Sequence, residues 1–233
     1  MIHQNFLVNG TIKHEIFFYA KINHDRRKWY PIFVSELVYF PMDNNFNEVI
    51  QGLNGVVDGA TQQESRIEKG YYFDGVNDTV TGSTITGLNG NTSSTWCYWG
   101  KLEDSTDTWA AIFTGNENAV NTMLLAHDDG VSAKRLSFCV RGGSCAYTTT
   151  AFTVSEWFFF SGTYDRINLK AYFNGIHQGT QANAGVTFAG ANYRFGCLDV
   201  AKNQKIKGVI DEFMIFDKVL TDNQIKSLYN MGF

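Results

Sequence analysis

Residues 157–175 read WFFFSGTYDRINLKAYFNG. Trp157 to Thr163 is an aromatic run of strand length, and Leu169 to Phe173 is a second. The second run ends at Asn174-Gly175, a pair suited to the positive φ angles that a two-residue hairpin turn requires. Strand and turn signals at this spacing point to antiparallel sheet.

The same grammar extends outward in both directions. Upstream, strands are expected at Leu37–Phe40, Gly70–Phe73, Asp78–Thr81, Thr95–Leu102, Trp109–Thr114, Asn121–His127 and Arg135–Val140. Downstream they are expected at Tyr193–Gly196 and Val209–Phe216, with further turns at Asp74-Gly75 and Asp129-Gly130. Many short strands joined by such turns make a sandwich or a barrel. One helix is expected near the end. Thr221-Asp222-Asn223-Gln224 is a capping box, Ile225, Leu228 and Tyr229 share one face, and Gly232 closes it.

Composition agrees. Of the 233 residues, 44% are hydrophobic and 15% aromatic, enough for one large β core, and 22 glycines against 2 prolines suit turns rather than linkers. No run of eighteen apolar residues occurs, so no transmembrane helix is expected.

Residues 1–35 differ from the rest. Lys13, Lys21, Arg26, Arg27 and Lys28 outnumber Glu15 and Asp25, in a chain whose net charge is −4. An excess of three cations is too small to argue for nucleic acid. Phe6–Val8, Asn9-Gly10 and Thr11–Lys13 read as a hairpin, Glu15–Ile22 continues as a strand, and Asp25–Lys28 is a solvated turn. The segment is too apolar for a disordered tail and reads as extra strands or a docking arm. The opening MIHQNFLVNG lacks the basic start, apolar run and cleavage site of a secretory signal. Either the general export route is not used, or a signal has been removed.

The cysteines are Cys97, Cys139, Cys145 and Cys197. A fold of this size does not need disulfides, so four buried thiols is the plainer reading. Cys139 and Cys145 flank a turn-like Arg-Gly-Gly-Ser stretch, and a bond closing that hairpin is the alternative.

Taken together, several stretches resemble the laminin-G-like, concanavalin A-like lectin/glucanase superfamily. They are Leu37–Asp43 (LVYFPMD), Tyr72–Asp78 (YFDGVND), Trp99-Gly100-Lys101, Trp157–Asp165, Leu169–Gly175, Arg194-Phe195-Gly196, Lys207–Phe216 (KGVIDEFMIF) and Leu220–Tyr229 (LTDNQIKSLY). Their order and spacing carry the resemblance, which covers residues 36–233. It implies an all-β, two-sheet antiparallel jelly-roll sandwich with a short C-terminal helix, preceded by the β-rich arm of residues 1–35. The fold serves lectins, glucanases, adhesion modules and virion proteins, so function must come from the site.

An enzyme of this kind needs two carboxyl groups facing one glycosidic bond. The Glu-x-Asp-x-x-Glu run of the superfamily's glucanases is missing. Glu103-Asp104, Asp128-Asp129 and Asp211-Glu212 are adjacent pairs whose side chains point to opposite faces of a strand. Asp217 shares parity with Asp211 but lies about 20 Å further along an extended strand. His127 beside Asp128 reads as a turn rather than a base with its orienter.

The resemblance places the first and last strands side by side, which brings Asp43 and Asp211 together with Asn45 nearby. These form a candidate calcium site, since calcium takes hard oxygen ligands. Asp74, Asn77 and Asp78 form a second, although Asp-Gly turns commonly use Asp to bond their own backbone. For sugar, exposed aromatic faces are needed. The resemblance puts Trp99 and Trp157 in the core. By strand parity Trp96 and Tyr98 then face outward or line the concave sheet, and with Trp109 they are candidate ligand-stacking residues. The alternative is that both faces of that strand are covered.

The leading expectation is a non-catalytic structural or binding protein of a virus particle, a phage, for decoration or fibre-like attachment to host glycan. Residues 1–35 would dock to other virion proteins, and the body would face outward, in a trimer or other homo-oligomer. A secreted or surface carbohydrate-binding module, and a glycoside hydrolase with atypical carboxylates, are the alternatives.

Overall fold

The computed structural model describes residues 2–8, 11–19, 31–32, 36–88, 90, 93–104, 109–115, 123–128, 134–140, 144–183 and 192–232. Over 2–36 and 123–128 only the backbone is described. The turns expected at Asn9-Gly10, Asp25–Lys28 and Asp129-Gly130, the ends of the strands expected at Glu15–Ile22 and Asn121–His127, and the side chains of His127 and Asp128 lie outside the described residues.

Two compact units divide the chain, Met1–Glu36 and Leu37–Phe233. In the first, β1 (Ile2–Val8) pairs antiparallel with β2 (Thr11–Tyr19), in a register that runs from Val8↔Thr11 to Ile2↔Phe17. The short β3 (Pro31–Ile32) pairs with β2.

β4 (Glu36–Phe40) starts at the boundary, and the second unit continues with β5 (Val56–Asp58), β6 (Thr61–Glu64), β7 (Lys69–Asp74) and β8 (Thr79–Thr84). Then follow β9 (Ser94–Leu102), β10 (Trp109–Gly115), β11 (Met123–Asp128), β12 (Arg135–Val140) and β13 (Ser144–Tyr147). The chain continues with β14 (Phe158–Tyr164), β15 (Asn168–Phe173), β16 (Ile176–Ala182), β17 (Asn192–Phe195), β18 (Lys207–Phe216) and α1 (Asp222–Met231). One sheet has the order β13-β12-β11-β10-β17-β8-β5. The other has the order β16-β15-β14-β9-β18-β7-β6, with β4 also paired to β18. This is the expected all-β jelly-roll sandwich. The quoted stretch forms β14 and β15, paired from Phe160↔Phe173 to Tyr164↔Leu169. Asn174 and Gly175 both adopt positive φ, 50° and 75°, in the turn into β16.

Aromatic side chains from both sheets meet between the layers. Phe113 of β10 lies 4.8 Å from Phe213 of β18 and 5.0 Å from Trp96 of β9, ring centre to ring centre. Trp96 and Tyr98 belong to this core, together with Phe138, Phe158, Phe160 and Phe195. Helix α1 starts with the expected capping box: Gln224 N donates to Thr221 Oγ1, and Thr221 N donates to Gln224 Oε1 at 2.9 Å. Gly232, at φ 84°, ends it. The helix carries Tyr229 onto Trp99, with ring centres 5.7 Å apart.

Two expectations are corrected here. Trp99 is buried, but under α1 on the outer face of its sheet rather than between the sheets. Trp157, at the entrance to β14, is only half-buried. The cysteines are also not four thiols. Cys139 and Cys145 form a disulfide, whereas Cys97 and Cys197 are buried thiols.

Candidate functional site

Trp96 and Tyr98 cannot present rings to a ligand, because they are 0% and 1% exposed and point into the core. Both lie between the sheets, on the face opposite to the one that strand parity with Trp99 predicts. Every residue from Ser94 to Gly100 is buried, so the strand carries no wet face from which parity can be read.

Trp109 stands differently. It opens β10 and is partly exposed. Backbone register places it opposite Asp128, and Asp128 opposite Arg135, so the three form a row across β10, β11 and β12. Along β12, Leu136, Phe138 and Val140 point into the core, which turns Arg135, Ser137 and Cys139 to the outer face. Tyr147 of β13 pairs with Ser137 and shares that face. The Tyr147 ring centre lies 6.2 Å from that of Trp109, at an interplanar angle of 58°. The Arg135 guanidinium carbon is 5.2 Å from the centre of the Tyr147 ring. Two tilted rings with a guanidinium against one of them make a bent apolar surface with a polar edge. Such surfaces suit ligands that have both C–H faces and hydroxyls. Lys134, next in the chain, forms an ion pair with Asp104. Tyr147 and Arg135 do not stand out in the sequence, because the four-residue SCAY strand is too short to carry an apolar period. The signal was Tyr147 two residues beyond Cys145, on the same face of one strand.

The structure brings Asp43 and Asp211 near each other. Asp211 is fully buried and stands opposite Trp99 in the β18–β9 register. Its Oδ2 accepts from Ser65 Oγ at 2.8 Å and from the Ile67 amide at 3.1 Å, while its buried Oδ1 has no hydrogen-bond partner. Burial, and to a smaller extent the charge of Asp43, raises its pKa to about 7 against those hydrogen bonds. Asn45 does not join them in any described contact. Its Oδ1 accepts the Asn47 amide in a local turn. Among the described residues, no three His, Cys, Asp or Glu side chains converge as a metal site.

The second acidic candidate serves the fold. Asp74 Oδ1 accepts the amides of Val76 and Asn77, and Asp78 Oδ2 accepts the amide of Asp74 at 2.8 Å. Lys202 Nζ fills the cationic role there, bonded to Asp58 at 2.7 Å and to the Asn77 carbonyl at 2.6 Å.

The remaining buried carboxylates are also held by the fold. Glu48 accepts the amides of Tyr39, Ile50, Gln51 and Gly52. Glu212 lies in a bulge of β18 at φ 51° and accepts the Tyr39 hydroxyl. No helix among the described residues is long and apolar enough to cross a membrane.

Solved structures share this fold at low identity. Domain 4 of AbnA, a GH43 extracellular arabinanase from Geobacillus stearothermophilus, in complex with arabinotriose, superposes with a TM-score of 0.70 at 18% identity, over 84% of this chain and 98% of that one. The binding domain of botulinum neurotoxin serotype G gives 0.68 at 12% identity, over 84% of this chain and 51% of that one. The binding domain of Paraclostridial Mosquitocidal Protein 1 gives 0.68 at 14%, over 84% and 52%. The chain thus spans about half the length of those two binding domains. At such identities the likeness is one of fold. No curated protein matches the chain. The sequence profile of the concanavalin A-like lectin/glucanases superfamily matches residues 74–226, more than half of the chain, and the protein belongs to that superfamily.

Proposed function

We propose that the protein is a non-catalytic glycan-binding module whose ligand stacks on Trp109 and Tyr147 beside Arg135. The observation that carries this reading is the partly exposed aromatic pair on the outer face of the seven-stranded sheet, 6.2 Å between ring centres. The arabinotriose held by the AbnA domain of the same fold supports a sugar as ligand and supplies the first probe. The non-catalytic part is supported by Glu48, Asp211 and Glu212, all fully or nearly buried and engaged with the fold rather than facing the aromatic pair.

Calcium belongs to the same proposal. The buried Asp211 Oδ1 without a hydrogen-bond partner, next to the Asp43 carboxylate, fits a hard cation that takes its remaining ligands from backbone carbonyls. Bound there, the ion would tie the segment after β4, which carries Asp43, to β18.

The module is assigned to a virus particle, with residues 1–35 as the docking arm. The separate Met1–Glu36 unit, with its own small sheet, supports an element distinct from the jelly roll. Two measurements test the whole reading. Titration with arabinotriose should quench tryptophan fluorescence in the wild type and not in Trp109→Ala. Particle proteomics should find the chain in virions, and its loss when residues 1–35 are deleted. Binding without particle association would favour a secreted or surface module, and turnover of an oligosaccharide would overturn the non-catalytic reading.

A further inference from the structure

The Trp109–Tyr147 surface is assembled from strands that do not touch. β10 and β13 are separated by β11 and β12, which in a flat sheet sets their backbones about 14 Å apart. Tyr147 is the last residue of a four-residue edge strand whose sheet partner is β12. So short an edge strand has few ladder hydrogen bonds to fix its register, and past Tyr147 it is held by Thr148, whose amide donates to the Leu136 carbonyl at 2.9 Å and whose Oγ1 accepts the Leu136 amide at 3.1 Å.

The Cys139–Cys145 disulfide acts on that strand. The two cysteines are directly opposed in the β12–β13 register, and the next pair on the same face is Ser137↔Tyr147. The bond closes a loop of sequence separation 6, so it removes less conformational freedom from the unfolded chain, and adds less to global stability, than a bond closing a long loop. Its local consequence is larger. It ties β12 to β13 one same-face pair away from Tyr147, so Tyr147 cannot slip or fray away from Trp109.

We propose that the Cys139–Cys145 disulfide is a positioning element of the glycan site, setting ligand affinity by holding Tyr147 against Arg135 and within reach of Trp109. This rests on the reading of Trp109 and Tyr147 as the ligand surface. The cysteines touch no ligand and act through Tyr147 alone.

The test uses the full chain with Cys139 and Cys145 both changed to Ser, and arabinotriose as probe. Affinity is expected to fall about tenfold, measured at a temperature where both proteins are fully folded. Adding Tyr147→Ala to that variant should cause no further loss, because both changes remove the same contact. Unchanged affinity, or losses that multiply, would overturn the proposal. Amide hydrogen exchange supplies a readout that needs no ligand. Exchange at residues 144–147 should rise in the Ser variant while β14 and β15 stay protected, and unchanged exchange there overturns the proposal. Should the wild type bind no arabinotriose, the ligand reading fails while the exchange result still decides the positioning role.

Discussion

Trp96 and Trp99, three residues apart on β9, lie on opposite faces of the same sheet. Trp96 packs against Phe113 and Phe213 between the layers, and Trp99 lies beneath Tyr229 of α1 on the outside. A third tryptophan, Trp109, is left partly exposed. The three should respond differently to truncation. Trp96→Ala removes a fully buried side chain and should destabilise by about 3–5 kcal/mol. Trp109→Ala should change stability by less than about 1 kcal/mol and weaken glycan binding by more than about 1 kcal/mol, more than most residues of an interface cost when truncated. Chemical denaturation and ligand titration on both variants check this.

Asp211 makes stability depend on pH. Its pKa in the folded protein, about 7, lies above the ordinary carboxylate value near 4, so the folded state keeps a proton that the unfolded chain releases. The stabilisation is therefore complete below about pH 4 and is lost as pH rises through about 7, by roughly 3–4 kcal/mol in the absence of a cation. A calcium ion at Asp43 and Asp211 would favour the charged form and oppose that loss. Calcium should accordingly raise the thermal midpoint more at pH 8 than at pH 5, and Asp211→Asn should abolish both trends.

Gly179 of β16 lies against the strand that carries Tyr147. A Cβ at this position would sit 2.4 Å from the Tyr147 carbonyl oxygen, closer than atoms can approach. Gln178, its neighbour, accepts from Thr150 N and Oγ1 at 3.1 and 3.0 Å, so the two sheet edges are tied together here. Gly179→Ala should push β13 outward, destabilise by about 1–3 kcal/mol and weaken glycan binding, as measured by calorimetry on the variant.

Thr221 caps α1, and α1 covers Trp99. Thr221→Ala removes the hydroxyl that accepts from Gln224 N and should cost about 1 kcal/mol. Because Trp99 is then less well covered, its fluorescence should shift to the red. Glycan affinity should stay unchanged, since α1 packs on the sheet opposite Trp109.

What the sequence made legible follows from how each strand meets water. β14, β15 and β18 are aromatic or aliphatic and flanked by turn residues, so their existence and pairing could be read directly. β6 (TQQE) and β16 (IHQGTQA) are edge strands with largely wet side chains, and β5 and β13 are three and four residues long. None of these four carries the apolar period that marks a strand. The same physics explains the site. β9 is buried on both faces, so its parity could not tell Trp96 from Trp99, and the ligand role fell on buried residues. Trp109 is legible as an aromatic at a strand start, but its partner Tyr147 sits on β13, one of the strands without a pattern. The Cys139–Cys145 spacing suggested a hairpin bond, and only the register of β12 against β13 decided between bond and thiols.

The central claim, a glycan site at Trp109 and Tyr147, is tested most directly by a glycan array probed with the wild type and with the Trp109→Ala, Tyr147→Ala double variant, each first shown to have the wild-type thermal midpoint. The account predicts that the wild type is retained on a defined set of glycans and the double variant on none of them. Equal retention of both proteins, or no retention of the wild type on any glycan, would contradict it.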